Sequence, residues 1–208
     1  RFFQQQFARF GVPIRLPALD GGDFEHLTIR RQLGIVAATL AAEPGPKVLV
    51  GSSLGGYLAA LHAAHHDVDA LVLIAPAVDL ARRWRERLGA EALERWRTEG
   101  ALRVHHHGLG REVPLAFDFM EDAARHDPWP RIRAPALVLT GTRDAIVPPE
   151  RVARWAGENP SARLVLVDGD HELVDRCGLL VEHARAFLAA LPAVAAAYPG
   201  LAPGAPAA

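Results

Sequence analysis

Two serines stand side by side in KVLVGSSLGGYLAALHAAHH, residues 47–66, between an apolar run and an alanine-rich segment. Gly51-Ser52-Ser53-Leu54-Gly55 fits the pattern G-x-S-x-G with Ser53 at its centre. Centring the pattern on Ser52 would need glycines at 50 and 54, where Val50 and Leu54 stand. Ser53 is therefore the candidate nucleophile. The pattern has a mechanical basis: a strand turns sharply into a helix with the serine at the apex, and flanking glycines remove Cβ atoms that would collide across the turn. The N-terminus of that helix offers free N–H groups and the positive end of a dipole. The Leu54 N–H is then a natural donor to an oxyanion. The plainer reading of the same residues is a glycine-rich β–α turn.

A serine hydroxyl needs a base, and the base needs a group to orient it. Downstream, ALVLTGTRDAIVPPE places Asp144 just past an apolar run, and RLVLVDGDHELVD places His171 just past the next. The order Ser, Asp, His is one that a triad can take. Each residue also has an ordinary explanation. Asp144 could cap a turn before Val147-Pro148-Pro149. His171 could be one loop histidine among ten. Asp168 and Asp170 are rival orienters. Asp144 is preferred because an acid on the preceding strand end can reach the imidazole from the side, leaving Asp168 and Asp170 to shape the turn that carries it.

These residues need elements that bring them to one edge. The runs 48–50, 70–74, 136–139 and 163–167 are short, apolar and bounded by turn signals, so they read as fully buried strands of a parallel sheet. Helical patterns lie between and after them, over 54–66, 150–156 and 173–191. Strands alternating with helices predict a doubly wound, mostly parallel α/β sheet. Such sheets place their sites at the carboxyl ends of the strands, where Ser53, Asp144 and His171 would converge. Residues 80–125 break the alternation: a charged helical piece is followed by a polar turn and a hairpin pattern. This reads as a cap-like insertion over one end of the sheet. The expected organisation is one domain over 1–191 and a disordered Ala/Pro/Gly tail over 192–208.

Composition narrows the function classes. The chain has 208 residues, enough for a sizeable core in one domain. Lys plus Arg number 23 against 24 Asp plus Glu, so charge gives no reason to expect nucleic acid or an anionic membrane. No apolar run is long enough to span a membrane. One cysteine, Cys177, excludes an internal disulfide and suggests a cytoplasmic setting. The run His105-His106-His107 invites a metal reading. Contiguous histidines on a strand cannot all face one ion, and no other ligand spacing supports it, so a solvated or lid-loop stretch is expected. His62, His65 and His66 sit at helical spacing near a helix end, where imidazolium suits the negative dipole. Trp84, Trp96, Phe117 and Phe119 could line an acyl pocket or form the insertion's own core. Arg82, Arg83, Arg85 and Arg87 could meet an anionic substrate group, but a solvated face paired with Glu86 and Glu91 is the expectation.

With GSSLGGYLA, LVLIAPAV, PALVLTGTRDAIVP and DGDHEL in place, the sequence resembles the α/β-hydrolases. Within that superfamily it is most similar to the small bacterial esterases and the mitochondrial acyl-protein thioesterases. FARFGVPIRLPALDGGDFEHLTIRRQL is similar to the segment those enzymes place before the elbow. The resemblance runs from Phe7 to about Leu191. It implies a serine hydrolase cleaving carboxylic esters or thioesters, with Ser53 as nucleophile, His171 as base and Asp144 as its orienter. The Leu54 N–H would lie in the oxyanion hole. The expected partner is a small acyl ester or thioester, with no cofactor and no metal. Alternatives are an acyltransferase or carbon–carbon hydrolase with the same triad, or a non-catalytic binding module on this scaffold. Such hydrolases open with a strand ending in a His-Gly loop, which supplies a second oxyanion donor. Here RFFQQQFARFG resembles the helix after that loop, so the strand and loop are expected upstream of residue 1. The other expectation is an oxyanion hole with a single donor, which would cost roughly 10²–10³ in turnover.

Overall fold

The computed structural model describes residues 2–106 and 108–204. Along the chain come α1 (Phe2–Ala8), α2 (Ile29–Ala42), β1 (Val48–Ser52), α3 (Leu54–His65), β2 (Ala70–Ile74) and α4 (Leu80–Glu99). There follow β3 (Ala101–His106), β4 (Arg111–Ala116), α5 (Asp118–Ala123), β5 (Ala136–Gly141), α6 (Pro149–Gly157), β6 (Ala162–Val167), α7 (Cys177–Ala189) and α8 (Pro192–Ala197). Among the described residues, no helix is long and apolar enough to cross a membrane.

β1, β2, β5 and β6 form a parallel sheet in that order. Every residue of β2 and β5 is buried, as a continuous apolar run requires when both sheet faces are covered. β1 and β6 are the outer strands and are only half-buried, so full burial holds for the inner pair alone. Side chains alternate between two cores. Leu71, Leu73 and Val138 pack with Tyr57 and Leu61 of α3 and Trp155 of α6. Val72, Leu137 and Leu139 pack on the other face with Phe7 of α1 and Leu180 and Leu188 of α7. Helices thus cover both faces, the arrangement that the alternation of patterns predicts.

The insertion is built from α4, the antiparallel β3–β4 hairpin and α5. α4 kinks at Gly89, whose φ of 76° is open to glycine at little cost. The aromatic residues pack on one another and join the core on the α3 side of the sheet. Trp84 lies 5.6 Å from both Trp96 and Phe119, and Phe117 meets Trp96 edge-on at 5.5 Å. Trp96 and Phe119 are buried, and the Trp96 indole donates to the Leu115 carbonyl at 2.8 Å. Arg82 pairs with Glu86 along the exposed side of α4, as expected, whereas Arg83 turns inward.

Two expectations differ from the structure. Residues 192–204 are not a featureless tail. Pro192 starts α8, a 3₁₀ turn follows at Pro199–Leu201, and Val194 and Leu201 are buried in the core beneath α1 and α7. Low complexity hid three apolar side chains, Val194, Tyr198 and Leu201, spaced to meet that core. Residues 205–208 lie outside the described residues. His62 is buried and stacks on His66, with ring centroids 4.5 Å apart. Burial, and secondarily His66, push its pKa down, so the neutral ring is favoured there rather than the imidazolium.

Candidate active site

The turn at Ser53 follows from what β1 and α3 require locally. β1 ends at Ser52 and α3 begins at Leu54, leaving one residue to reverse direction. That residue, Ser53, has φ 50° and ψ −116°, a conformation an L-residue adopts only under constraint. The constraint is visible in the hydrogen bonds. The Ser53 N–H donates to Ile74 O at 2.8 Å, and the Ser53 carbonyl accepts from Ala77 N at 2.9 Å and Tyr57 N at 3.1 Å. Gly51 makes the turn possible: a Cβ there would come within 2.7 Å of Gly56 N and closer still to the Gly55 carbonyl. Gly55 itself has open space where a Cβ would stand, so the second glycine of the motif does not relieve a collision. Gly56 is the tight one, 3.1 Å from Pro76.

Sheet register carries the other residues to the same edge. Ser52 lies opposite Ile74, Ile74 opposite Leu139, and Gly141 opposite Val167. The loops after β1, β5 and β6 therefore leave from the same edge of the sheet, with β2 between the first strand and the other two. The last two are stitched together by Thr142 N to Val167 O and Arg143 N to Gly169 O, both at 2.9 Å.

Three predicted side chains meet there. His171 Nε2 lies 3.0 Å from Ser53 Oγ, and His171 Nδ1 lies 2.7 Å from Asp144 Oδ2. This pairing suits the tautomer with the proton on Nδ1, donated to the carboxylate, leaving Nε2 to accept from the serine. The Asp144 side chain is 0% exposed and that of His171 is 19% exposed. Burial by itself would raise the Asp144 pKa. The hydrogen bond from His171 and the amides of Val147 and Ile146 outweigh it and hold the carboxyl below the usual carboxylate range. Those amides donate to Asp144 Oδ1 at 2.7 and 2.8 Å. The Leu54 N–H opens α3 directly beside Ser53, where no carbonyl a turn earlier is available to it.

The rival acids take other partners. Asp168 pairs with Arg143 and Arg176. Asp170 accepts from the amides of Glu172 and Leu173, closing the turn that presents His171. The histidine run belongs to the β3–β4 hairpin: His106 lies against Phe24 at 4.6 Å, and His107 lies outside the described residues. No group of three His, Cys, Asp or Glu positioned to hold a metal occurs among the described residues.

Sequence patterns grouped Arg83 with Arg82, Arg85 and Arg87 on a face expected to be solvated, and did not show that it turns inward. It donates to the Ile146 carbonyl, in the loop that carries Asp144. Nor did they reveal the cleft of about 500 Å³ along the outer edge of β1, whose apolar lining includes Phe7, Val36, Leu40, Val48 and Val50. One end of that cleft reaches Ser52 and Gly55, next to the turn.

Comparison with known proteins agrees with this architecture. The chain is 32% identical to mouse palmitoyl-protein thioesterase ABHD10, mitochondrial, over 149 residues that make up 65% of this chain and 48% of the relative. It thus spans about half the length of that curated relative. The solved structure of mouse alpha/beta hydrolase domain-containing protein 10 superposes with a TM-score of 0.65 at 26% identity, covering 78% of this chain and 70% of that one. Est1E from Butyrivibrio proteoclasticus superposes with a TM-score of 0.63 at 21% identity, over 77% and 69% of the two chains. The sheet, its helical layers and these likenesses make the fold that of the α/β-hydrolases. Residues 1–188 match the Uncharacterised protein family (UPF0227), and the chain belongs to that family.

Proposed function

We propose that this protein is a serine hydrolase of carboxylic esters or thioesters. The observation that carries the reading is the unbroken hydrogen-bonded line from buried Asp144 through His171 to Ser53, ending at a strained strand–helix turn. A hydrogen bond between nucleophile and base, with the base oriented by a buried acid, is the geometry of an activated serine. The thioesterase named among the similar proteins supports the choice of acyl chemistry.

In this reading Ser53 Oγ attacks the acyl carbonyl carbon as His171 Nε2 takes its proton. Asp144 holds the imidazole in orientation and stabilises the imidazolium that forms. The Leu54 N–H donates to the developing oxyanion. His171 then returns the proton to the leaving alcohol or thiol, leaving Ser53 acylated. Water, deprotonated by His171, attacks the acyl-enzyme and releases the acid. No step calls for a group beyond these residues and water.

The test is labelling with a fluorophosphonate probe, comparing the wild type with Ser53→Ala. Labelling of the wild type that vanishes in the variant is the expected outcome. A folded wild type that stays unlabelled would sink the reading. A panel of acyl esters and thioesters of graded chain length then resolves the leaving group.

A further inference from the structure

Arg83 lies one turn into α4, yet its guanidinium does not face water as that of Arg82 does. Its Nη2 donates to the Ile146 carbonyl at 2.5 Å. Its Nε and Nη1 are buried without a hydrogen-bond partner among the described residues. Buried donors are almost always satisfied, so two orphaned ones on a cation call for an explanation beyond packing. The carbonyl it grips offers one. Ile146 C=O and Val147 N–H belong to the same planar peptide, and they point in opposite directions. The N–H end donates to Asp144 Oδ1 at 2.7 Å. A single rigid peptide is therefore held by Arg83 on one side and by Asp144 on the other. A bond at its carbonyl polarises the N–H and strengthens its donation to the carboxylate.

Charge acts in the same direction. Arg83 stays cationic in any folded protein. The groups that interact with it are Asp144 in the acid loop, Asp79 before α4, Arg87 on α4 and Arg151 on α6. Arg151 is already engaged with Asp79 and Glu86. Arg83 thus adds a cation near Asp144, whose ionised form is held chiefly by His171 and the Val147 and Ile146 amides.

We propose that Arg83 is a positioning residue for the Asp144–His171 pair: it orients the Ile146–Val147 peptide onto the carboxylate and sets a cation on that side of the acid loop. This rests on the reading of Asp144, His171 and Ser53 as a working triad. It also couples the insertion to the triad, because α4 belongs to the former and the 144–147 loop to the latter.

Arg83→Lys keeps the charge. Arg83→Gln and Arg83→Met remove it, and Met retains the packing of the stem. Each variant is checked for folding by thermal melting. Hydrolysis of p-nitrophenyl butyrate is then followed across pH. In the neutral variants kcat is expected to fall roughly tenfold with KM little changed, the size of loss that a slight misplacement produces. The sign of the pH effect follows from the charge. A cation beside Asp144 opposes proton uptake by the Asp144–His171 pair, so its loss moves the acid limb of kcat/KM to higher pH. Arg83→Lys should keep the limb in place and recover most of kcat.

A second readout is independent of turnover. The proton between His171 Nδ1 and Asp144 should give a far-downfield NMR resonance in the wild type and in Arg83→Lys, and should be lost by exchange in Arg83→Gln and Arg83→Met. A resonance and acid limb unchanged in the neutral variants would overturn the proposal. So would equal damage in Lys and Met with the limb unmoved, which marks a packing role only. If neither neutral variant folds, loss of the resonance in folded Arg83→Lys overturns the charge role. A wild type that takes no fluorophosphonate label and hydrolyses neither esters nor thioesters, while its downfield proton responds to Arg83, would refute the hydrolase reading and leave the positioning role of Arg83 standing.

Discussion

Gly51 and Gly55 flank Ser53 evenly in sequence but not in space. A methyl group at 51 would run into backbone that cannot yield, whereas one at 55 would enter open space. Gly51→Ala should therefore destabilise the protein by about 1–3 kcal/mol, the range of overpacking, and abolish probe labelling. Gly55→Ala should leave the urea midpoint unchanged or slightly raised, since alanine is the better helix former. Measuring both midpoints and both labelling rates separates the two positions. Asp144 makes a different demand. Its Oδ1 accepts two amides and its Oδ2 accepts from His171, so all three neighbours are donors. An asparagine must point its own NH₂ at one of them. Asp144→Asn should lower kcat by roughly 10⁴ while the fold persists, the size of effect known for this change in a Ser-His-Asp triad. Steady-state kinetics beside a circular dichroism spectrum would check it.

Elements carry consequences that single residues do not show. α3 is apolar nearly all round and buried along most of its length, which places His62 inside although its spacing fits a solvated helix end. The folded state disfavours protonation of His62, with a folded pKa below the unfolded value of about 6.5. Its contribution to stability is thus fully present above pH ~6.5 and is lost as pH falls through the folded value. His62→Leu should flatten the dependence of the urea midpoint on pH between about 7 and 5. A midpoint that varies with pH as steeply in the variant as in the wild type would count against burial of a neutral ring. In the insertion, aromatic residues at 84, 96, 117 and 119 left two uses open in the sequence. Their choice of partner depends on the hairpin folding back over α4, which places Trp96 against Phe117 and Leu115. Helical and strand periods indicate which residues share a face, but not what that face meets.

At the scale of the whole molecule, stability is concentrated in the middle of the sheet. Leu139 of β5 is 0% exposed between two strands and two helical layers, whereas Leu166 of β6 is 57% exposed on the outer strand. Leu139→Ala should cost about 2–5 kcal/mol of unfolding free energy. Leu166→Ala should stay within about 0.5 kcal/mol. Urea denaturation of the pair would show whether the centre and edge differ as the burial implies. The sequence by itself determined the four core strands, the strand–helix turn at Ser53 and the candidates Asp144 and His171. Each depends on local chemistry: apolar runs bounded by breakers, a glycine before a tight turn, polar residues just past a strand. The sequence already favoured Asp144 over Asp168 and Asp170 from its place after the preceding strand, and the tertiary structure gave that preference its geometry, because the register of β5 against β6 sets which carboxylate faces the imidazole. Only the tertiary structure turned Arg83 toward the acid loop, buried His62 and ordered residues 192–204 against α1 and α7. These outcomes depend on which distant segment lies opposite a side chain, and that is decided by packing the whole chain rather than by any stretch of it.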